Sequence, residues 1–172
     1  MSGPRSSHRY LADDSRPEIG WSDAQRRLAD GRTYWLATVR DDGRPHAMPL
    51  LAVWVDESLH FCAGAGTRKA KNLARQPACV ISTSVSDMDL VLDGKAVRVT
   101  DAARVRRVAD EYQRKYGWDA EPRGSALHAE GAPTAGPPPL DVYAIVPRVA
   151  FGFGTDESFN AMRWSFEDGD GN

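Results

Sequence analysis

Apolar positions along the chain follow two periods. Residues 22–30 repeat at helical spacing, with Ser22 able to cap the start and Asp30-Gly31 as a stop. Two strand-like runs follow, Thr33–Arg40 (TYWLATVR) and His46–Val55 (HAMPLLAVWV). The link 41–45 (DDGRP) carries hairpin chemistry, because Asp-Gly tolerates the positive φ of a tight turn. Pro49 interrupts the second run, so part of that strand either lacks a neighbour on one side or bulges. Ser58–Ala63 reads as a third strand. Thr67–Arg75 reads as a short helix, capped by Thr67 and stopped before Pro77. Ala78–Ser84 and Met88–Thr100 are strands again, the latter with Gly94 at a bulge. Asp101–Tyr116 has the clearest helical stripe (Val105, Val108, Ala109, Tyr112, Tyr116) and ends at Gly117. The stretch 131–139 (GAPTAGPPP) excludes regular helix and central strand. Asp141–Pro147 and Val149–Phe153 supply further strands.

Six or more strands joined mainly by short turns, with helices inserted between them, predict a mostly antiparallel β-barrel. A doubly wound parallel sheet would need a helix between nearly every strand pair, and these are lacking. Residues 1–20 are polar and predict a flexible N-terminal arm; 21–172 predict a single domain.

Charge narrows the partners. Lys and Arg total 22, Asp and Glu 24, leaving −2, which gives no support for wholesale nucleic-acid or anionic-membrane binding. No apolar run is long enough for a membrane span, and the N-terminus lacks a secretory apolar block. Cys62 and Cys79 sit in apolar runs and read as buried thiols of a reducing, cytoplasmic protein. No histidine or cysteine spacing fits a metal site, so none is assigned.

One short stretch goes against helix electrostatics. In 61–77 (FCAGAGTRKAKNLARQP) a helix opens with Arg68, Lys69 and Lys71, although a helix N-terminus already carries partial positive charge. Either these groups point into water, or an anion sits there. Gly64 and Gly66 permit close backbone approach, Thr67 offers a hydroxyl and Arg68 a planar fork suited to phosphate. The spacing matches neither a P-loop nor G-x-G-x-x-G.

The order of these elements resembles the pyridoxamine 5′-phosphate oxidase-like split β-barrel family. The resemblance rests on G-R-P-H at 43–46, F-x-x-x-x-G-[ST]-R-K-A-x-x-[LI] at 61–73 and a later G-K-A-x-R strand at 94–98. PRVAFGFG at 147–154 and MRWSF at 162–166 resemble the C-terminal part of an actinobacterial-type subgroup. The resemblance implies a split barrel and a homodimer with flavin sites at the interface. It implies a cofactor phosphate on Thr67, Arg68 and Lys69, and a ring against Met48, Pro49, Leu50, Leu51, Cys62 and Ala63. Arg163 and Trp164 would approach the ring or substrate from the C-terminal part. Ala47 and Ala52 stand where true vitamin B6 oxidases carry a phosphate-binding Arg and Lys, and Asp89 stands in place of a ring-contacting Gln. The implied activity is therefore hydride transfer between FMN, or the deazaflavin coenzyme F-420, and a small organic substrate, rather than vitamin B6 oxidation. The alternative is a non-catalytic flavin, haem or tetrapyrrole carrier, for which His46 or His128 would be the axial donor.

The remaining candidates stay open at this level. His46 reads equally as a ligand contact or a surface strand residue, and His60 alternates outward. Trp35, Trp54 and Phe61 read as core or dimer interface. Trp164 reads as a site residue, with packing as the alternative. No catalytic side chain is assigned.

Overall fold

Local signals and long-range pairing together produce the architecture of this computed structural model, which describes residues 3–8, 18–155 and 161–166. In chain order the elements are β1 (Arg5–His8), α1 (Trp21–Asp30), β2 (Tyr34–Val39), β3 (Pro45–Leu50), β4 (Val53–Val55), β5 (Ser58–Gly64) and α2 (Arg68–Arg75). Then come β6 (Ala78–Val85), β7 (Met88–Arg98), α3 (Ala102–Tyr116), β8 (Glu121–Arg123), β9 (Ala126–His128), β10 (Leu140–Gly154) and β11 (Ala161–Ser165).

Several ends are set by the residues that the pattern singled out. Thr67 caps α2, its hydroxyl accepting from the Ala70 amide at 3.4 Å. Asp101 caps α3 from its carboxylate to the Arg104 amide at 2.6 Å, and Gly117 ends that helix at φ 65°. The cap of α1 differs from expectation. It is Gly20, without a side-chain cap bond, and Ser22 lies inside the first turn. The run 46–55 is divided: β3 ends at Leu50, and β4 starts at Val53. β1 falls inside the stretch expected to be a loose arm and pairs with β11 from Arg5↔Ser165 to His8↔Met162.

All strand pairs are antiparallel, in the path β1-β11-β10-β7-β6-β2-β3, with β4, β5, β8 and β9 attached off it. The organising strand is β10. One edge runs along β7; the other takes β5 over Leu140–Ala144 and β11 over Val149–Phe153. The β7–β10 register shifts between Pro147 and Val149, opposite Gly94, where a Cβ would lie 2.1 Å from the Val146 carbonyl oxygen. β3 pairs with β2 alone, so Pro49 sits on an edge strand, where its missing N–H costs no ladder bond. Because β3 does not pair with β5, the sheet stays open. This is a split, mostly antiparallel barrel.

Two apolar layers fill it. The interior holds Tyr34, Leu36, Phe61, Ile81, Leu90 and Trp164. A second layer lies between the sheet and α3 and holds Val53, Cys62, Val105, Val108, Tyr112 and Val142. β5 is therefore buried on both faces. This corrects the expectation for His60: its ring is 0 % exposed, because the face that alternation alone would give to water is covered by neighbouring elements. No helix among the described residues is long and apolar enough to cross a membrane.

Candidate functional site

The ends of β3 and β5 meet the first turn of α2 beside the opening of the barrel. Local chemistry fixes this corner. The Thr67 hydroxyl donates to the Gly64 carbonyl at 2.8 Å while capping α2. Buried Asn72 donates to the Thr38 hydroxyl at 2.9 Å, tying α2 to β2. The first-turn amides of α2 thus face a fixed position.

A pocket of about 310 Å³ opens there, lined by His46, Met48, Thr67, Arg68, Lys69 and Thr134 among others. Arg68 is exposed and has no ion-pair partner among the described residues. His46 Nδ1 is buried without a hydrogen-bond partner, and burial, then Arg40, Lys69 and Arg68, hold the imidazole below its ordinary pKa. Lys69 is only 4 % exposed; its ammonium donates to the Thr134 carbonyl, and burial lowers its pKa.

A second, apolar cavity of about 200 Å³ lies beside it, lined by Pro49, Leu50, Leu51, Cys62, Tyr112 and Thr134 among others. Burial pushes the Cys62 thiol up to about 12 and holds the Tyr112 phenol well above its ordinary value. The Tyr112 hydroxyl donates to the Leu51 carbonyl at 3.1 Å. Both groups stay protonated and serve packing.

The two spaces share a wall, Pro133 and Thr134, in the Pro/Gly-rich stretch 131–139. The Thr134 hydroxyl donates to the Pro49 carbonyl at 2.9 Å, and the Gly64 amide donates to the Ala135 carbonyl at 2.7 Å. This segment spans from the end of β3 to the end of β5. It fits so closely that a Cβ at Gly136 would lie 2.7 Å from Thr67 Cγ2. In the sequence this stretch shows only that it is neither regular helix nor central strand. Its contacts run through backbone carbonyls and one hydroxyl, which leave no motif.

Of the expected site residues, Met48, Pro49, Leu50, Leu51, Cys62, Thr67, Arg68 and Lys69 gather around these two spaces. Ala63 faces the barrel interior and is fully buried. Arg163 and Trp164 are not brought to this corner. Trp164 corrects the expectation: it is 0 % exposed and packs inside, 5.6 Å from the Trp21 ring. Arg163 takes the opposite face, level with Phe151. Among the described residues no group of His, Cys, Asp and Glu could hold a metal ion.

A phosphorylated flavin fits one end of this geometry. The exposed Arg68, the orphaned His46 nitrogen and the α2 amides form a place for a phosphate. At the ring end, the Pro49 carbonyl and Gly64 amide are already taken by the 131–139 segment.

Comparison with known proteins places this corner in context. A haem-binding protein from Mycobacterium smegmatis matches with a TM-score of 0.59 at 17 % identity, over 80 % of this chain and 55 % of that one. A pyridoxamine 5′-phosphate oxidase-related, FMN-binding protein from Nostoc punctiforme matches with a TM-score of 0.57 at 17 % identity, over 84 % and 85 % of the chains. An F-420 reductase matches with a TM-score of 0.51 at 21 % identity, over 73 % of this chain and 94 % of that one. At these identities the likeness is one of fold. No curated protein matches the chain. The family model described as pyridoxamine 5′-phosphate oxidase matches residues 22–149, which include β3, β5, the basic turn and the segment that bridges them, and the chain belongs to that family.

Proposed function

We propose that this protein is a flavin- or deazaflavin-dependent oxidoreductase that moves hydride between a bound cofactor and a small organic substrate. The observation that carries this reading is the pairing of a basic pocket at the start of α2 with an apolar wall on β3 and β5. Family membership and the likeness to an FMN-binding protein and an F-420 reductase support it. The cofactor, when bound, supplies the redox chemistry. Arg68 and the first amides of α2 hold its phosphate, Pro49, Leu50 and Leu51 exclude water, and the backbone of β3 and β5 orients the ring. The resemblance sets Ala47 and Ala52 where a vitamin B6 oxidase carries two cations; neither lines the basic pocket, and Ala52 is fully buried in the interior.

The working form is a homodimer. Trp35 is 53 % exposed, and Ala37, Val80, Val91 and Phe151 share its outer sheet face through the β2–β6–β7–β10 register. Arg163 lies on that face also, so in such a dimer it, rather than Trp164, would be the one to approach a partner's cofactor.

One observation favours binding without turnover as a second reading. The titratable side chains lining the apolar cavity are Cys62 and Tyr112, both held protonated by burial. A carrier of flavin or haem needs no proton donor there.

Fluorescence titration of cofactor-stripped protein with FMN and, separately, with the deazaflavin tests the proposal. Binding of one, weakened at least tenfold by Arg68→Ala, is expected from loss of a charge-assisted contact. Binding of neither sinks it. Binding without reduction of the cofactor by any of a panel of small organic hydride donors favours the carrier.

A further inference from the structure

The segment between β9 and β10 satisfies polar groups on three elements around the two pockets. The Pro49 carbonyl receives the Thr134 hydroxyl at 2.9 Å. The Gly64 amide donates to the Ala135 carbonyl at 2.7 Å. The buried Lys69 ammonium donates to the Thr134 carbonyl. A carbonyl on β3, an amide on β5 and an ammonium on α2 are thereby satisfied by one short stretch of backbone. Without it these three groups would need another partner, since buried polar groups are costly when unpaired.

Only short side chains hold that stretch down, with Ala135 in the layer under α3 and Ala132 packed against it. Its side chains between residues 132 and 136 are Ala, Pro, Thr and Ala, followed by Gly136 at φ 80°. Ala135 is buried, while Pro133 and Gly136 are exposed. Segments with few buried apolar contacts open at low free energy. The 200 Å³ left beneath it is below the 300–1,000 Å³ typical of ligand pockets.

We infer that residues 132–136 act as an internal strap that occupies the cofactor groove, and that a phosphorylated flavin enters by displacing it, with Lys69 exchanging the Thr134 carbonyl for the cofactor phosphate. This rests on the cofactor reading proposed above. It accounts for a lysine that sits in a phosphate-binding motif yet points its ammonium into the protein's own chain. It makes cofactor loading a competition between strap and ligand for the same donors and acceptors. Strap and cofactor therefore oppose one another: whatever steadies the strap weakens loading.

Hydrogen exchange of the full chain, read on peptides covering 129–137, decides the matter, with and without FMN or the deazaflavin at concentrations shown to bind by fluorescence. Exchange in the strap should rise several-fold on loading. Thr134→Val removes the hydroxyl bond to Pro49 while keeping the shape, and should tighten cofactor binding about fivefold. Cofactor binding with strap exchange unchanged or slowed overturns the inference and leaves the cofactor reading standing. Failure of the native chain to bind either cofactor overturns the two together.

Discussion

The Asn72 side-chain amide donates to the Thr38 hydroxyl at 2.9 Å, with both residues at most 3 % exposed. This is the buried polar tie between α2 and β2; the exposed Arg75 guanidinium adds a second, to the Val39 carbonyl at 3.2 Å. Thr38→Val keeps the volume but leaves the Asn72 amide buried without that acceptor. The expected loss is about 1–3 kcal/mol in denaturant-induced unfolding. A midpoint equal to that of the native chain would show that the bond contributes nothing net.

Neither cysteine should behave as a reactive thiol. Burial pushes both Cys62 and Cys79 up to about 12, and both are free and 6 % exposed. At neutral pH the thiolate that would attack a disulfide reagent is nearly absent. Labelling of native protein should be slow and should follow global unfolding, with both thiols modified together in denaturant. Rapid labelling of one thiol under native conditions would mean that its layer opens locally.

The outer face carrying Trp35 is expected to bury itself against a second copy. Trp35→Glu places a charge on that face and should convert a dimer into a monomer in light scattering, with secondary structure retained. A native chain that is monomeric at micromolar concentration contradicts the dimer outright.

Much of this architecture is written locally. The cap at Thr67 and the stop at Gly117 each need only their own neighbours, so the chain announces them, whereas Gly94 marks a register shift whose partner residues lie on β10. What it does not announce depends on distant partners. His60 alternates outward along β5, yet it pairs with Val53 and lies in the layer that α3 covers. Trp164 sits in a tail of polar residues that suggested a ligand. Its neighbours did hold the signal, since Met162 and Trp164 alternate inward against Arg163, a strand period of two. The strap leaves no such trace, because any backbone carbonyl could take the place of Ala135.

His60 also makes stability depend on pH. Burial, followed by the nearby Arg104, lowers its pKa from 6.5 to about 4; the Ser58 carbonyl and Asp56 oppose this, and Arg107 adds to it. Its Nδ1 lies 3.0 Å from the Ser58 carbonyl, and Nε2 has no partner. The folded chain therefore holds the ring neutral, while the unfolded chain binds a proton at about 6.5. Below that value the unfolded state carries more protons, so stability falls as pH drops from about 6.5 towards 4 and this contribution levels off below 4. The loss across the window is on the order of 3 kcal/mol at most. His60→Leu removes the titrating group from an otherwise apolar layer. Unfolding midpoints at pH 7 and pH 5 should then differ less in the variant than in the native chain. An equal difference in both would assign the acid sensitivity to other groups, with Asp56 and Asp87 foremost because their Arg107 and Arg27 partners hold their carboxylates below the usual range.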